Sequence, residues 1–179
     1  MAEQRTLIVD IDPQANASSG LGIRPGEELH TVYDVLVEGY PAAETILREV
    51  QFPCLDLIPS TRDLVGAEIE MIEAHEREHI LRRALEPIRD HYDFILVDCP
   101  PSLGLLTLNT LVAADSVLIP IQCEFYALEG LSRLLNTVRV VQKGLNPTLE
   151  IEGVLLTMYD RRLNLSRQVA DEAREYFGA

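Results

Sequence analysis

Leu7-Ile8-Val9-Asp10-Ile11-Asp12-Pro13-Gln14 places two carboxylates at the end of a short apolar run, and Phe94-Ile95-Leu96-Val97-Asp98-Cys99-Pro100-Pro101 ends a second run in the same way. In open parallel α/β sheets, ligands bind outside the carboxyl ends of the strands, where these aspartates are expected. Asp10 and Asp12 point the same way on an extended strand, so a nearby cation would offset their repulsion, or one of them could orient an attacking water. The two segments predict the metal and water half of a nucleotide-hydrolysing site.

Asp98 is the candidate magnesium ligand of this pair of segments. An aspartate directly after an apolar strand holds Mg²⁺ in P-loop NTPases, usually through water, because the hard cation keeps part of its hydration shell. The alternative is that Asp98 only caps the turn that follows its strand.

The phosphate-binding half of such a site is absent from the sequence. A P-loop requires G-x-x-x-x-G-K-[ST], whose backbone N–H groups and lysine hold the phosphates. Lys143 is the only lysine in the chain, and it lies in Gln142-Lys143-Gly144-Leu145. We therefore expect this chain to be inactive alone.

Apolar runs that alternate with helical patterns indicate an α/β fold with a mostly parallel twisted sheet and helices on both faces. Because the runs carry Val, Ile and Leu at consecutive positions, we expect strands buried on both faces. The predicted strands are Thr6–Ile11, Leu55–Ile58, Phe94–Val97, Ser116–Ile121 and Leu149–Thr157, and a loop with Gly20 and Gly22 follows the first. The predicted helices are Thr31–Glu38, Ala42–Val50, Arg62–Asp90, Leu105–Ala113, Tyr126–Gln142 and Leu165–Phe177. We expect one domain over residues 1–179, cut at both ends.

Composition limits the class of protein. The chain has 179 residues and a formal net charge of −14, which argues against a surface that binds nucleic acid everywhere but permits a local basic patch. We find no signal peptide and no apolar run of the roughly 20 residues that a membrane span needs. Cys54, Cys99 and Cys123 have no metal-binding spacing. These features predict a cytoplasmic protein without a membrane association.

Six segments, in order, resemble one family. They are Leu7–Gly22, Leu57–Ser60, Asp63–Glu68, Asp93–Gly104, Glu124–Leu131 and Gly153–Asp160. Together they resemble the ParA/Soj-type partition ATPases, in the deviant-P-loop group that includes MinD. The resemblance covers essentially the whole chain, and it implies a P-loop NTPase-like fold.

The resemblance also implies a function. Such proteins are homodimeric Mg-ATP switches that bind DNA non-specifically with ATP bound, associate with the nucleoid, and hydrolyse ATP when stimulated by a ParB-type partner. By resemblance, Asp12 positions the hydrolytic water and Asp98 holds Mg²⁺. Asp10 supports the metal site and, with Pro13 and Gln14, belongs to the nucleotide-binding segment.

This chain departs from the family at two places. Ala15 stands where the family has glycine, which is a mild change. The family's Lys-Gly-Gly-x-Gly-Lys-Thr loop lies on a strand and helix that would precede Met1, and its final strands would follow Ala179. We expect both to belong to a longer form.

Arg161, Arg162 and Arg167 are the candidate DNA contacts, because the resemblance places positive charge after the fifth strand. The alternative is a solvated group of arginines on a loop.

His75-Glu76-Arg77-Glu78-His79 matches H-E-x-x-H, which on a helix sets two imidazoles for zinc. On the predicted helix both histidines face away from the apolar stripe, and no third ligand is apparent. We interpret the segment as a solvated helix face.

Two other functions remain open from the sequence. One is a non-catalytic paralogue that keeps a dimer or partner surface. The other is a MinD-like membrane-directed ATPase, whose terminal amphipathic helix would lie beyond Ala179.

Overall fold

The computed structural model describes residues 4–24, 29–123 and 127–177. It contains two compact units, Met1–Ala113 and Ala114–Ala179. The single domain expected from the sequence stays a prediction.

A three-stranded parallel sheet forms the centre of the first unit. Its strands are β1 (Thr6–Asp10), β2 (Leu55–Ile58) and β3 (Phe94–Asp98), in the order β2-β1-β3. Val9 is paired with Ile58 on one side of β1, and Asp10 is paired with Asp98 on the other. Because all three strands are parallel, their carboxyl ends meet at one edge of the sheet.

Helices pack over the apolar side chains at the centre of this sheet. They are α1 (Asn16–Gly20), α2 (Ala42–Thr45), α3 (Leu64–Glu70), α4 (Ile80–Leu85) and α5 (Leu105–Ala113), with a π-helical turn at Asp34–Glu38. Leu7, Val9 and Ile11 are fully buried and share one core with Leu64 and Leu81. Burial of this apolar surface is the main force that holds the unit together.

The second unit pairs two parallel strands with two longer helices. β4 (Ser116–Gln122) and β5 (Glu150–Thr157) are joined by α6 (Ala127–Gly144), and α7 (Asn164–Phe177) follows β5. Ile119 and Ile121 of β4 pack against Leu131 and Leu135 of α6. The register shifts between Val117 and Leu118, where β5 contributes an extra residue.

The α/β class with parallel strands is confirmed. All five predicted strands are present, with ends that differ by at most one residue from the prediction. The helix over Leu105–Ala113 has the predicted bounds, and the last two helices begin or end within two residues of them. Tyr126, the predicted start of one of these helices, lies outside the described residues.

The predicted helix over Ala42–Val50 is wrong beyond Thr45. Leu47 instead forms an antiparallel bridge with Leu57 of β2, and Glu49 has a positive φ of 52°. The nearby carboxylate of Asp56 accepts hydrogen bonds from the Glu49 backbone N–H (2.8 Å) and the Tyr92 hydroxyl (2.7 Å). Burial, and then this hydrogen bond, raise the pKa of Tyr92 to about 12. A tertiary contact therefore overrides the local helical propensity.

The predicted helix over Arg62–Asp90 is also wrong as one element. It is broken into α3, α4 and three 3₁₀ turns, which are Met71–Glu73, Arg77–His79 and Glu86–His91. The break between α3 and α4 includes Glu76, whose φ of 49° is left-handed. The buried Asn109 of α5 stabilises the new start by accepting a hydrogen bond from Leu81 N–H (3.1 Å) and donating one to the Arg77 carbonyl (2.8 Å).

The H-E-x-x-H match falls on this break. Because Glu76 is left-handed, His75 and His79 do not lie one turn apart on a continuous helix. The geometry that the zinc motif requires is therefore not formed. The sequence predicts a solvated helix face for this segment. The continuous helix is wrong, but the His75 side chain is almost fully exposed to solvent.

The segments flanking β1 differ from the prediction in two smaller ways. The predicted loop with Gly20 and Gly22 contains the short helix α1. The predicted helix over Thr31–Glu38 is helical over residues 32–38, but most of it is the π-helical turn. The Asp34 carboxylate caps its start by accepting hydrogen bonds from the backbone N–H (2.6 Å) and hydroxyl (3.0 Å) of Thr31.

Burial on both faces, which the sequence predicts for the strands, is not found in β3, and Leu118 of β4 and Leu155 of β5 are also 55% and 51% exposed. Phe94 and Leu96 are 56% and 55% exposed, and Asp98 on the same face is also exposed. Within the first unit, β3 is an edge strand, so only β1 has strand neighbours on both sides.

None of the helices in the described part of the chain combines the length and the apolar character that crossing a membrane requires.

Candidate functional site: the carboxyl ends of β1 and β3

Asp10, the last residue of β1, has a fully buried carboxylate that organises the segment after the strand. Its Oδ2 accepts hydrogen bonds from the backbone N–H (2.8 Å) and the hydroxyl (2.7 Å) of Ser18 in α1. Its Oδ1 accepts a weaker one from Asp12 N–H (3.2 Å). A buried carboxylate requires such donors, because an unpaired one would pay a large desolvation penalty. Asp10 therefore fixes the position of α1 relative to β1.

A second set of contacts ties the same segment to the end of β2. Ser60, which follows β2, donates its hydroxyl hydrogen to the Asp12 carbonyl (2.8 Å) and its backbone N–H to the Ser18 hydroxyl (3.1 Å). Ser18 and Ser60 are both fully buried. The backbone around Asp12 is thus held from β1, α1 and β2 together.

Asp12 is partly buried, one step beyond Asp10. Its Oδ1 accepts a hydrogen bond from Gln14 N–H (2.9 Å), and its carbonyl accepts one from Ala15 N–H (2.8 Å). Pro13 and Gln14 form the turn between these groups, and Gln14 is exposed. Oδ2 of Asp12 has no hydrogen bond to any of the described residues, so it can bind a water.

Asp98 is paired in register with Asp10 on the adjacent strand, and its carbonyl accepts Ile11 N–H (2.8 Å). Partial desolvation raises the pKa of its carboxyl, and the charges of Asp10 and Asp12 raise it further. The folded state therefore holds this proton more tightly than the unfolded chain does. Its contribution to stability is fully present below the unfolded pKa and is lost as pH rises through the raised folded pKa. The ionised form of Asp98 is held unfavourably, and a cation beside it would relieve the repulsion.

The carboxylate oxygens at this edge of the sheet suit a magnesium ion that keeps most of its water ligands. Within the described ranges, no group of three or more His, Cys, Asp and Glu side chains is arranged to hold a metal ion directly. Both carboxylate oxygens of Asp10 are already bonded to N–H or O–H donors, whereas the Asp98 carboxylate accepts no hydrogen bond from the described residues. Mg²⁺ characteristically uses one or two carboxylates, waters and phosphate oxygens. Asp98 is therefore the group that could hold it.

The structure brings together three of the predicted site residues, Asp10, Asp12 and Asp98, at one edge of the first unit. The three arginines predicted to contact DNA lie in the second unit, and all are exposed. Arg162 is bonded to the carboxylate of Asp160 through Nη2 (2.7 Å) and Nε (3.0 Å), which raises its pKa and offsets its charge. Arg167 donates to Asn164 (2.6 Å).

Ser18 and Ser60 have roles in the site that the sequence did not predict. Both serines lie in segments that resemble the family, but no spacing rule connects a serine eight residues after Asp10 to its carboxylate. The contact depends on the turn that α1 imposes. A short polar segment directly after a strand-end aspartate is the only signal that the sequence offers.

Ala15 is the residue before α1, and its backbone is left-handed, with φ 52° and ψ 40°. An alanine pays roughly 1–2 kcal/mol for this conformation, whereas glycine adopts it freely. Because glycine also has more entropy in the unfolded chain, we expect Ala15→Gly to raise the free energy of unfolding by about 0.5 kcal/mol. Urea unfolding measures the change, with Ala17→Gly inside α1 as the control that should lose stability. A lower free energy of unfolding for Ala15→Gly would contradict the interpretation that Ala15 is strained.

The chain is similar to known proteins along most of its length. A family model described as an AAA domain matches residues 1–151. The chromosome partitioning protein ParA of Myxococcus xanthus is 54% identical over 176 residues, which cover 98% of this chain and 62% of that protein. The sporulation initiation inhibitor protein Soj of Bacillus subtilis is 57% identical over 174 residues, which cover 97% of this chain and 68% of that protein.

A solved structure has the same fold. The crystal structure of cobyrinic acid a,c-diamide synthase from Mycobacterium smegmatis, with a bound ATP analog and magnesium, matches with a TM-score of 0.89 and 38% identity over 96% of this chain and 70% of that one. This chain thus spans between 62% and 70% of the length of these proteins.

Proposed function

Since the chain belongs to the ParA/Soj family of partition ATPases, we propose that it is the carboxylate-bearing part of a Mg-ATP-dependent switch that acts in DNA segregation. One observation carries the proposal. The parallel register sets Asp98 beside Asp10, with Asp12 on the turn that follows. This is the edge of an α/β sheet where ligands bind. The ATP analog and magnesium in the solved Mycobacterium smegmatis structure support the choice of ligand.

Each carboxylate has a separate role in the proposal. Asp12 orients the attacking water through the oxygen that its own turn leaves free. Asp98 holds the magnesium ion through water, and Asp10 keeps the Asp12 segment in place through Ser18. Pro13 and Gln14 line the nucleotide side of the turn. When bound, Mg²⁺ neutralises the phosphate charge that develops during transfer.

We propose three partners for the complete protein. They are a second copy in a homodimer, a ParB-type protein that stimulates hydrolysis, and non-specific DNA when ATP is bound. Arg161, Arg162 and Arg167 are the candidate phosphate contacts, and Arg161 is the strongest because Arg162 already pairs with Asp160. Since the net charge is −14, DNA binding must be local to such a patch. We place the protein in the cytoplasm, associated with the nucleoid.

The proposal predicts a difference between two forms of the chain. The extended chain is defined as this sequence fused behind the strand, Lys-Gly-Gly-x-Gly-Lys-Thr loop and helix that the family resemblance places before Met1. The 179-residue chain should bind Mg-ATP no more tightly than about millimolar, because Lys143 is its only lysine and no glycine-rich ring of N–H donors is present. The extended chain should bind at about micromolar affinity.

Isothermal titration calorimetry of both forms tests the proposal. Micromolar binding by the 179-residue chain would contradict the proposed inactivity of this form alone. Failure of a folded extended chain to bind Mg-ATP would contradict the nucleotide-dependent function itself. Titration with ATP in the presence of excess chelator is the control for the role of the metal.

A further inference from the structure

α3 carries apolar side chains that the core does not use. Val65 and Ile69 are 67% and 72% exposed, and Ile72, in the 3₁₀ turn after the helix, is 53% exposed. Residues spaced by three and four positions lie on one face of a helix. The opposite face of the same segment packs into the core through Leu64, Ala67 and Met71. We call the three exposed side chains, Val65, Ile69 and Ile72, the α3 stripe.

Acidic side chains border the α3 stripe on both sides. At about 100° per residue, Glu68 falls on one side of the stripe, and Glu70 and Glu73 fall on the other. Glu68 is held in place by Leu106 N–H (3.3 Å), and Glu70 by the Tyr33 hydroxyl (2.9 Å). The segment from residue 63 to residue 76 contains five acidic residues and neither lysine nor arginine, and the next residue, Arg77, pairs with Glu78.

A cavity lies beside the acidic side chains that border the α3 stripe. It has a volume of about 410 Å³, and the residues that line it include three acidic ones, Asp34, Asp63 and Glu70, together with Tyr33. Asp63 directly precedes α3 and Glu70 is its last residue, so the cavity and the helix form one surface. The hydrogen bond to Glu70, and then burial and the neighbouring carboxylates, raise the pKa of Tyr33. The cavity is therefore suited to a cationic group.

We propose that the α3 stripe and its acidic cavity dock a cationic amphipathic segment of another protein. The apolar face of that segment would cover Val65, Ile69 and Ile72, and one lysine or arginine would enter the cavity. A contiguous apolar surface bordered by charge is typical of an interaction site. Because the side chains around the stripe and the cavity are acidic, a segment that docks there should be cationic. A second copy of this chain fits poorly, because a symmetric pairing of two stripes would place glutamates against glutamates.

The proposed docking surface is distinct from the strand-end carboxylates, and it is tested without nucleotide. The probe is a fluorescent synthetic helix of leucine and lysine with all leucines on one face, and fluorescence anisotropy measures its binding to the 179-residue chain at physiological salt. A peptide of identical composition in scrambled order reports binding that depends on charge alone. We expect the amphipathic peptide to bind at least about tenfold more tightly than the scrambled one.

Matched variants locate the binding surface. We expect Val65→Ser and Ile69→Ser each to weaken binding about tenfold, and Glu73→Gln to weaken it severalfold. Val140→Ser is the control, since Val140 on α6 is the same residue type and is 69% exposed. Equal effects of Val65→Ser and Val140→Ser, or equal binding of the two peptides, would overturn the proposal. So would a dimer in sedimentation that Val65→Ser dissociates, because the stripe would then serve a second copy.

Discussion

Asp10→Ala is expected to lower the free energy of unfolding by about 3–5 kcal/mol. The carboxylate is fully buried and accepts hydrogen bonds from Ser18 N–H, the Ser18 hydroxyl and Asp12 N–H. Removing it leaves these donors unpaired in a site that an alanine methyl cannot fill. The loss should appear as a lower urea midpoint with an unchanged slope.

Asp12→Ala is the matched control for that loss, because it removes the same group two residues further along. Asp12 is only partly buried, and its carboxylate accepts a single hydrogen bond, from Gln14 N–H. We expect a loss of about 1 kcal/mol or less. Equal losses for the two variants would show that the Asp10 network does not hold the segment after β1 together.

The second large effect is on catalysis. In the extended chain, Asp12→Ala should lower the rate of ATP hydrolysis by about 100-fold or more, because a positioned group that orients the nucleophile contributes about 10²–10⁴. Mg-ATP binding should change little, since Asp12 acts on the water. A phosphate-release assay under saturating ATP measures the rate, and calorimetry measures the binding.

Asp90→Ala serves as the control for this variant, because Asp90 is an exposed carboxylate in the 3₁₀ turn before β3. It should leave the rate unchanged. If Asp12→Ala hydrolyses ATP as fast as Asp90→Ala does, Asp12 has no role in catalysis. Loss of binding together with rate would instead indicate that Asp12 contacts the nucleotide.

The strands and the meeting of the carboxylates could be predicted from the sequence. Buried parallel strands require continuous apolar runs, which are visible without a structure. Once β1 and β3 are recognised as parallel strands, Asp10 and Asp98 must end at the same edge of the sheet. The placement of the site therefore follows from pattern and topology alone.

The helices between β2 and β3 could not be predicted in the same way. The break near Glu76 is stabilised by Asn109, a residue more than thirty positions away, and no local propensity carries that information. The end of α2 similarly depends on the bridge between Leu47 and β2.

The different roles of the two neighbouring aspartates are also hidden in the sequence. Asp10 and Asp12 are equivalent in an extended strand, so the pattern assigns both to the site. The strand ends at Asp10, and the turn through the left-handed Ala15 directs α1 back onto Asp10 alone. The sequence therefore predicts where the carboxylates lie, while the turn decides which one is structural.

The magnesium dependence of ATP hydrolysis in the extended chain, compared between the wild type and Asp98→Asn, is the decisive measurement for the metal site. If Asp98 holds the metal, the Mg²⁺ concentration for half-maximal activity should rise about 10- to 100-fold in the variant, because the charge that attracts the ion is lost while the side chain keeps its size. The same half-maximal Mg²⁺ concentration in both proteins would show that Asp98 does not hold the metal, and it would contradict the assignment of this edge as the metal half of the site.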